Sequence, residues 1–179
     1  KLDRSDIRSE PSTGAVRPGA LLALTFNVSR VTGGSCAALV GATVDVWHCD
    51  AAGVYSDASD PSFNTRGQKF LRGYQTTDAS GTAKFMTIYP GWYQGRAVHI
   101  HFKIRTRTAS GQIADFTSQL FFDEKINDEV FAQAPYSGKT GSRLRNEGDG
   151  IYRGGGEKLL IAPAKGSSGY SATFDIGLA

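Results

Sequence analysis

Apolar and polar residues alternate with period two in several short runs, each bounded by Gly, Pro, Asp or Ser, and this pattern predicts strands rather than helices. The first run spans residues 21–31, after an arm over residues 1–19 whose Pro11, Gly14, Pro18 and Gly19 favour an extended path with a turn. Residues 42–48 follow, with Val44 and Val46 alternating against Thr43 and Asp45. Residues 70–77 and 82–89 flank Asp78-Ala-Ser-Gly81 and read as a hairpin. Residues 97–106 place Val98, Ile100 and Phe102 on one face and His99 and His101 on the other, because successive strand side chains point to opposite sides. Further strands are expected over residues 113–122, 158–162 and 170–176. A short helix is expected over residues 127–133, with Asn127 as N-cap and Asp128 and Glu129 in the first turn. About eight or nine short strands with one short helix predict an all-β fold, a β-sandwich. The segment 49–66, rich in Asp, Ser, Gly and Pro, is a long loop carrying Tyr55; loops of that length within a domain usually serve function.

Composition narrows the class. A chain of 179 residues with 40% hydrophobic content suits a single domain over 1–179 that buries a core without metal or disulfide support. Its 20 basic and 17 acidic residues interleave, so no phosphate-tracking stripe forms and nucleic acid is excluded as a partner. No apolar run approaches the roughly 20 residues that cross a bilayer, so no membrane association is expected. The chain opens on Lys1 without an apolar leader, which leaves open whether one was removed. Cys36 and Cys49 are the only cysteines; they either form a disulfide, which would mark an exported protein, or stay reduced as structural thiols. Asn27-Val28-Ser29 matches a glycosylation sequon but lies in a strand run and carries little weight.

The chemistry concentrates in Pro90-Gly-Trp-Tyr-Gln-Gly-Arg-Ala-Val-His-Ile-His-Phe-Lys103, which holds two of the three histidines. Two imidazoles on one strand face can meet one metal ion; two hydrogen-bonded histidines on a half-buried sheet are the alternative, and the spacing alone leaves both open. Tyr93 precedes His99 by six residues, on the loop that feeds the strand.

Three separated segments, in order, then become specific: Val44-Asp-Val-Trp-His-Cys-Asp-Ala-Ala-Gly-Val-Tyr55, Phe70-Leu-Arg-Gly-Tyr-Gln-Thr-Thr-Asp78 and the stretch from Pro90 to Phe102. Together they resemble the intradiol ring-cleavage dioxygenases, most closely the compact exported branch with a protocatechuate 3,4-dioxygenase-like catalytic domain. The likeness runs from Arg4-Ser-Asp-Ile-Arg8 to Asn146-Glu-Gly-Asp-Gly-Ile-Tyr152.

The resemblance implies a non-haem Fe(III) held by Tyr55, Tyr93, His99 and His101, with Tyr93 and His101 axial and Tyr55 and His99 equatorial beside a hydroxide. The residue types suit that ion. A phenol with an ordinary pKa of about 10 binds as phenolate only to a strongly Lewis-acidic metal, and hard oxygen donors with imidazole favour ferric iron over thiolate-loving ions.

By the same resemblance the substrates are a catecholic small molecule and O2, the products cis,cis-muconate-type acids, and Tyr93 also serves as a base. Arg96 would stabilise negative charge on the ring, with Gln119 near it and the substrate. Trp47 corresponds to a pocket wall that could stack on the ring or pack in the core, and Trp92 would flank the mouth; His48, which alternates away from Trp47 along its strand, is expected to be structural or to support a ligand from behind rather than to bind the metal. The helical dimerisation segment of the catechol 1,2-dioxygenase branch has no counterpart in this sequence, so a monomer with an open site is expected, and the likeness to the exported branch implies a secreted, extracellular protein. Two rivals fit the same residues: a non-catalytic metal-binding sandwich, and a family member that binds phenols without cleaving them.

Overall fold

In the computed structural model, which describes residues 2–179, the first alternating run becomes β1 (Leu21–Thr32). Leu22, Leu24, Phe26 and Val28 are buried and the residues between them are half-covered, as a strand with one face on a core requires. β1 lies at the centre of a five-stranded sheet. On one side it pairs in parallel with β12 (Gly169–Leu178), whose outer neighbour is β11 (Ala164–Gly166); on the other it pairs antiparallel with β2 (Ser35–Ala38) and β7 (Thr82–Ile88).

The second sheet runs in the order β10 (Leu160–Ile161), β9 (Ile113–Phe122), β8 (His99–Arg107), β3 (Thr43–Trp47), β6 (Arg72–Thr76). Its Val44, Val46, Ile100, Phe102, Ile104, Leu120 and Phe122 meet the inward residues of the first sheet in one buried cluster. Burying each such side chain contributes about 1.5–3 kcal/mol. At its middle Phe102 touches Phe26 and Phe174, with ring centroids 5.4 and 5.9 Å apart, so aromatic packing joins the layers directly. The expected all-β sandwich is therefore the observed one, with twelve strands among the described residues once short ones are included, two of them, β4 (Ser59–Asp60) and β5 (Phe63–Asn64), forming a small hairpin inside the long loop.

Several expectations need correction. Residues 70–89 do not form a hairpin. Asp78 does close the turn, its Oδ1 accepting from Ser80 and Thr82 N–H, but β6 then joins the second sheet and β7 the first. The arm spans the resulting gap: Asp3 bridges to Tyr74 of β6 and Asp6 to Met86 of β7, while buried Ile7 donates its N–H to Met86 and accepts from Leu71.

The first helix, α1 (Glu124–Phe131), starts earlier than expected, because Asp123 is the N-cap and accepts from Lys125 N–H. Asn127 lies inside the helix, fully buried, with its amide oxygen accepting from Tyr89 Oη at 2.6 Å. A second short helix, α2 (Gly150–Arg153), adds to the single one expected. Only Leu160 and Ile161 of the 158–162 run are strand, since the residues before them form a 3-10 turn.

The cysteines are both free: Cys36 is exposed on β2, whereas Cys49 is buried beyond the end of β3, its thiol directed at Gly91 O at 3.5 Å. Asn27 sits in the central strand, with its amide tied to Asp175 and Thr82. Among the described residues no helix is long and apolar enough to cross a membrane.

Candidate metal centre

Register, more than any single residue, builds the site. Across the second sheet Arg72, Trp47, His101 and Gln119 are consecutive cross-strand partners on β6, β3, β8 and β9, so their side chains share the outer face, opposite the core. His99, two residues before His101, shares that face, opposite Phe121. Loops then cover it, leaving His99 only 2% exposed.

Tyr55 and Tyr93 come from two of these loops. Thr65 Oγ1 donates to Tyr55 O at 2.6 Å, Ser56 Oγ donates to Phe70 O at 2.7 Å, and Arg72 grips Ser56 through Oγ and O, so the segment at Tyr55 is fixed. Tyr93 follows Pro90-Gly91. A Cβ at Gly91 would stand 2.5 Å from the carbonyl oxygens of Asp50 and Ala51, so only glycine lets the two loops approach.

The four functional atoms converge. Tyr55 Oη lies 3.1 Å from Nε2 of both His99 and His101 and 3.4 Å from Tyr93 Oη; Tyr93 Oη is 3.3 Å from His99 Nε2; and the two Nε2 atoms are 3.2 Å apart. His99 donates Nδ1–H to Ala97 O at 2.7 Å, which puts its lone pair on Nε2. Burial, reinforced by His101, lowers the His99 pKa to about 3; burial and the Arg96 and Arg72 charges lower that of His101 to about 4. Both rings are thus neutral, and His99, with its proton on Nδ1, offers an Nε2 lone pair 3.2 Å from His101 Nε2.

Burial also raises both tyrosine pKa values, so neither phenol ionises here without a cation beside it. A cation at the common centre would take up that lone pair and favour the phenolates, and neighbouring ligands about 2 Å from one ion stand about 3 Å apart. Among the described residues no three His, Cys, Asp or Glu side chains are placed to hold a metal, so a metal here depends on the phenolic oxygens. Two oxygens and two nitrogens without a thiolate suit a hard ion such as Fe(III).

The other expected residues fall around this centre. Arg96 Nη1 is 3.4 Å from His99 Nε2, and Nη2 donates to Gln119 Oε1 at 2.5 Å. Trp47 lies flat against His101, with centroids 5.1 Å apart and planes 2° apart, so its face supports a ligand imidazole. Trp92 is nearly buried, with Lys139 Nζ 4.7 Å from its ring centroid. His48 points the other way, into the sandwich, bonded to Cys49 O and Thr87 Oγ1 at 2.7 Å each.

One residue escaped the sequence reading. Asp149, nearly buried at the start of α2, pairs with Arg96 Nε at 2.9 Å. Burial pushes its carboxyl pKa up, but hydrogen bonds from Ala97 N–H and the Arg96 guanidinium outweigh that and hold it below the usual range. The Asp149-Gly150 pair carried a helix-start signal; its partner 53 residues away carried none.

A cavity of about 610 Å³ opens beside Tyr55 and Tyr93, walled by Val54, Ala58, Phe63 and Lys139. Another, of about 650 Å³, lies at the far end of the strands, among Arg30, Tyr74 and Arg105, away from this chemistry.

A family model described as dioxygenase matches residues 10–147. The chain is similar in structure to an intradiol ring-cleavage dioxygenase from Tetranychus urticae, with 31% identity over 99% of this chain and 86% of that one and a TM-score of 0.83. It is also similar to the dioxygenase domain of a dioxygenase carbohydrate-binding protein fusion from Streptomyces sp. SirexAA-E, at 26% identity over 98% of this chain and 87% of that one, with a TM-score of 0.65. Catechol 1,2-dioxygenase from Acinetobacter sp. ADP1 shares the fold, at 21% identity over 97% of this chain and 56% of that one and a TM-score of 0.63. No curated protein matches the chain significantly.

Proposed function

Because the chain belongs to the intradiol ring-cleavage dioxygenase family, we propose that Tyr55, Tyr93, His99 and His101 hold one non-haem Fe(III) and that the protein cleaves catechols with O2 between their two hydroxylated carbons. One catechol and one O2 give one cis,cis-muconate-type dicarboxylic acid, with both oxygen atoms entering the product. Bound Fe(III) supplies electron withdrawal from a coordinated catecholate, which makes a closed-shell ring reactive toward triplet dioxygen.

The side chains do the rest. Tyr93 would hold the iron through its Oη and, in the base role that the resemblance implies, would accept there a proton of the incoming catechol. Tyr55 stays, because Thr65, Ser56 and Arg72 pin its segment. The Arg96 guanidinium, beside His99, offsets the negative charge that grows on the ring as it reacts, in a site where loops exclude water and weaken screening. Gln119 orients Arg96. Trp47, stacked on His101, holds that imidazole in plane.

The cavity beside Tyr55 and Tyr93 falls in the size range that holds drug-sized ligands, about 300–1,000 Å³, so the substrates proposed are catechols with bulky ring substituents. Export and a monomeric state are proposed on the resemblance alone, since the cysteines lend no support.

The observation that carries the reading is the meeting of two phenolic oxygens and two imidazole nitrogens, each within 3.1–3.4 Å of at least two of the other three. The protein supplied with iron should turn red-brown from tyrosinate-to-Fe(III) charge transfer and consume one O2 per catechol in an oxygen-electrode assay. Iron-loaded protein that consumes no oxygen with any of a panel of plain and 4-substituted catechols would overturn it.

A further inference from the structure

We propose that Asp149 is a positioning residue whose single oxygen Oδ2 sets both the Arg96 guanidinium and the His99 imidazole. The inference rests on the function proposed above. Oδ1 of this carboxylate serves the scaffold, accepting from Ile151 N–H at 2.8 Å and Tyr152 N–H at 3.3 Å to cap α2. Oδ2 turns the other way and accepts two bonds, from Arg96 Nε–H at 2.9 Å and from Ala97 N–H at 2.8 Å.

Each bond leads to a different half of the site. Holding Nε fixes the guanidinium plane, which sends Nη2 to Gln119 and Nη1 to within 3.4 Å of His99 Nε2. Holding Ala97 N–H fixes the residue whose carbonyl accepts His99 Nδ1–H at 2.7 Å, and that bond decides which His99 nitrogen offers its lone pair to the centre. The carboxylate touches neither a ligand atom nor the substrate cavity, so it acts through its two neighbours.

Capping alone does not account for the residue. Asn and Ser cap helices about as well as Asp, but neither offers a charged acceptor on each side. An Asn that keeps its oxygen on the cap must aim its NH2 at two N–H donors, and one that flips loses the cap.

The test compares wild type, Asp149→Asn, Arg96→Gln and the double variant, each as full-length protein. Two readouts are taken: kcat/KM with a catechol, and iron affinity by competition with a chelator. Asp149→Asn should lower kcat/KM about a hundredfold, the scale of misplacing a catalytic group by about 1 Å. It should weaken iron binding about tenfold or more, the usual cost of losing a group that orients a metal ligand. Assayed with saturating iron, the turnover losses should be less than multiplicative, because the part of the effect that Asp149 exerts through Arg96 is already lost in Arg96→Gln, while the weaker iron binding that arises through His99 persists in the double variant.

Wild-type kcat/KM and iron affinity in folded Asp149→Asn would overturn the proposal, and so would losses that multiply in the double variant. If Asp149→Asn fails to fold, Asp149→Ser serves in its place; failure of both would assign the residue to the scaffold alone and equally overturn the proposal. A wild-type protein that binds iron but cleaves no catechol would sink the proposed function instead, leaving the iron-affinity comparison to decide the His99 half by itself.

Discussion

The two faces of β8 are made from one nine-residue strand and obey different rules. Inward, Ile100, Phe102 and Ile104 are fully buried and need only be apolar and the right size. Outward, His99 and His101 are also largely covered, yet by loops, and what matters there is where a lone pair points. Farther along the same outer face, half-buried Lys103 and exposed Arg105 pair with Asp115 and Asp45. Burial alone therefore does not mark the site. The combination of burial with polar atoms that face one another does.

The widest separation between the faces should come from neighbouring residues. Phe102→Ala removes the ring that joins the sheets and should cost about 3–5 kcal/mol of stability in urea denaturation, while iron bound per folded chain stays unchanged. His101→Ala should do the reverse. Iron affinity should fall at least about a hundredfold, since losing even a group behind a ligand costs about 10–100-fold, while the denaturation midpoint moves far less. If His101→Ala kept its iron, or if Phe102→Ala emptied the centre without unfolding, the division of labour along β8 would fail.

The inner face of β8 and the outward direction of its histidines were legible in the sequence, because period-two alternation is a local property that tertiary structure had no reason to override. The tyrosines were legible only through resemblance: nothing local to Tyr55 or Tyr93 says that two loops meet. What local signals could not give was pairing. Asp78 and Gly81 do form a turn, but whether the following strand returns to its neighbour or crosses to the opposite sheet depends on β1, whose Leu21 to Asn27 takes β7 as a partner. Asn127 misled for a similar reason. It has the chemistry of a cap, but Tyr89 offers it a buried partner, and Asp123 one turn earlier already caps the helix. Asp149 and Arg96 meet only after the chain has folded.

His48 sharpens the contrast, because it is what a histidine does on the inner side. Its Nε2 meets Thr87 on β7, in the opposite sheet, so it ties the layers together. Burial is the main cause that lowers its pKa from 6.5 to about 4, so the folded protein keeps it neutral where the unfolded chain protonates it. The unfolded state therefore binds more protons between those values, and stability, full above about pH 6.5, is lost as pH falls toward 4. From pH 7 to pH 5 the loss from this residue should be about 2 kcal/mol. Urea midpoints at the two pH values, compared with those of His48→Gln, isolate it; equal pH sensitivity in both proteins would mean that this buried imidazole does not drive acid loss.

The smallest effect should lie on the outer face beyond the centre. Arg105 Nη2 meets Asp45 Oδ2 at 3.0 Å, but the arginine side chain is 49% exposed, and ion pairs of this kind contribute about 0.2–1 kcal/mol. Arg105→Ala also removes a hydrocarbon stem that can cover apolar surface, so Asp45→Asn, which deletes the charge and keeps the shape, is the cleaner half of the pair. Each variant should shift the urea midpoint slightly, leave ring cleavage unchanged, and lose most of that shift at about 1 M salt, where the screening length drops to about 3 Å. A loss above about 2 kcal/mol, or one that high salt does not touch, would mean that the outer face carries structure along its whole length. Position relative to the loops, rather than the side of the sheet, would then be the wrong criterion for where this fold keeps its chemistry.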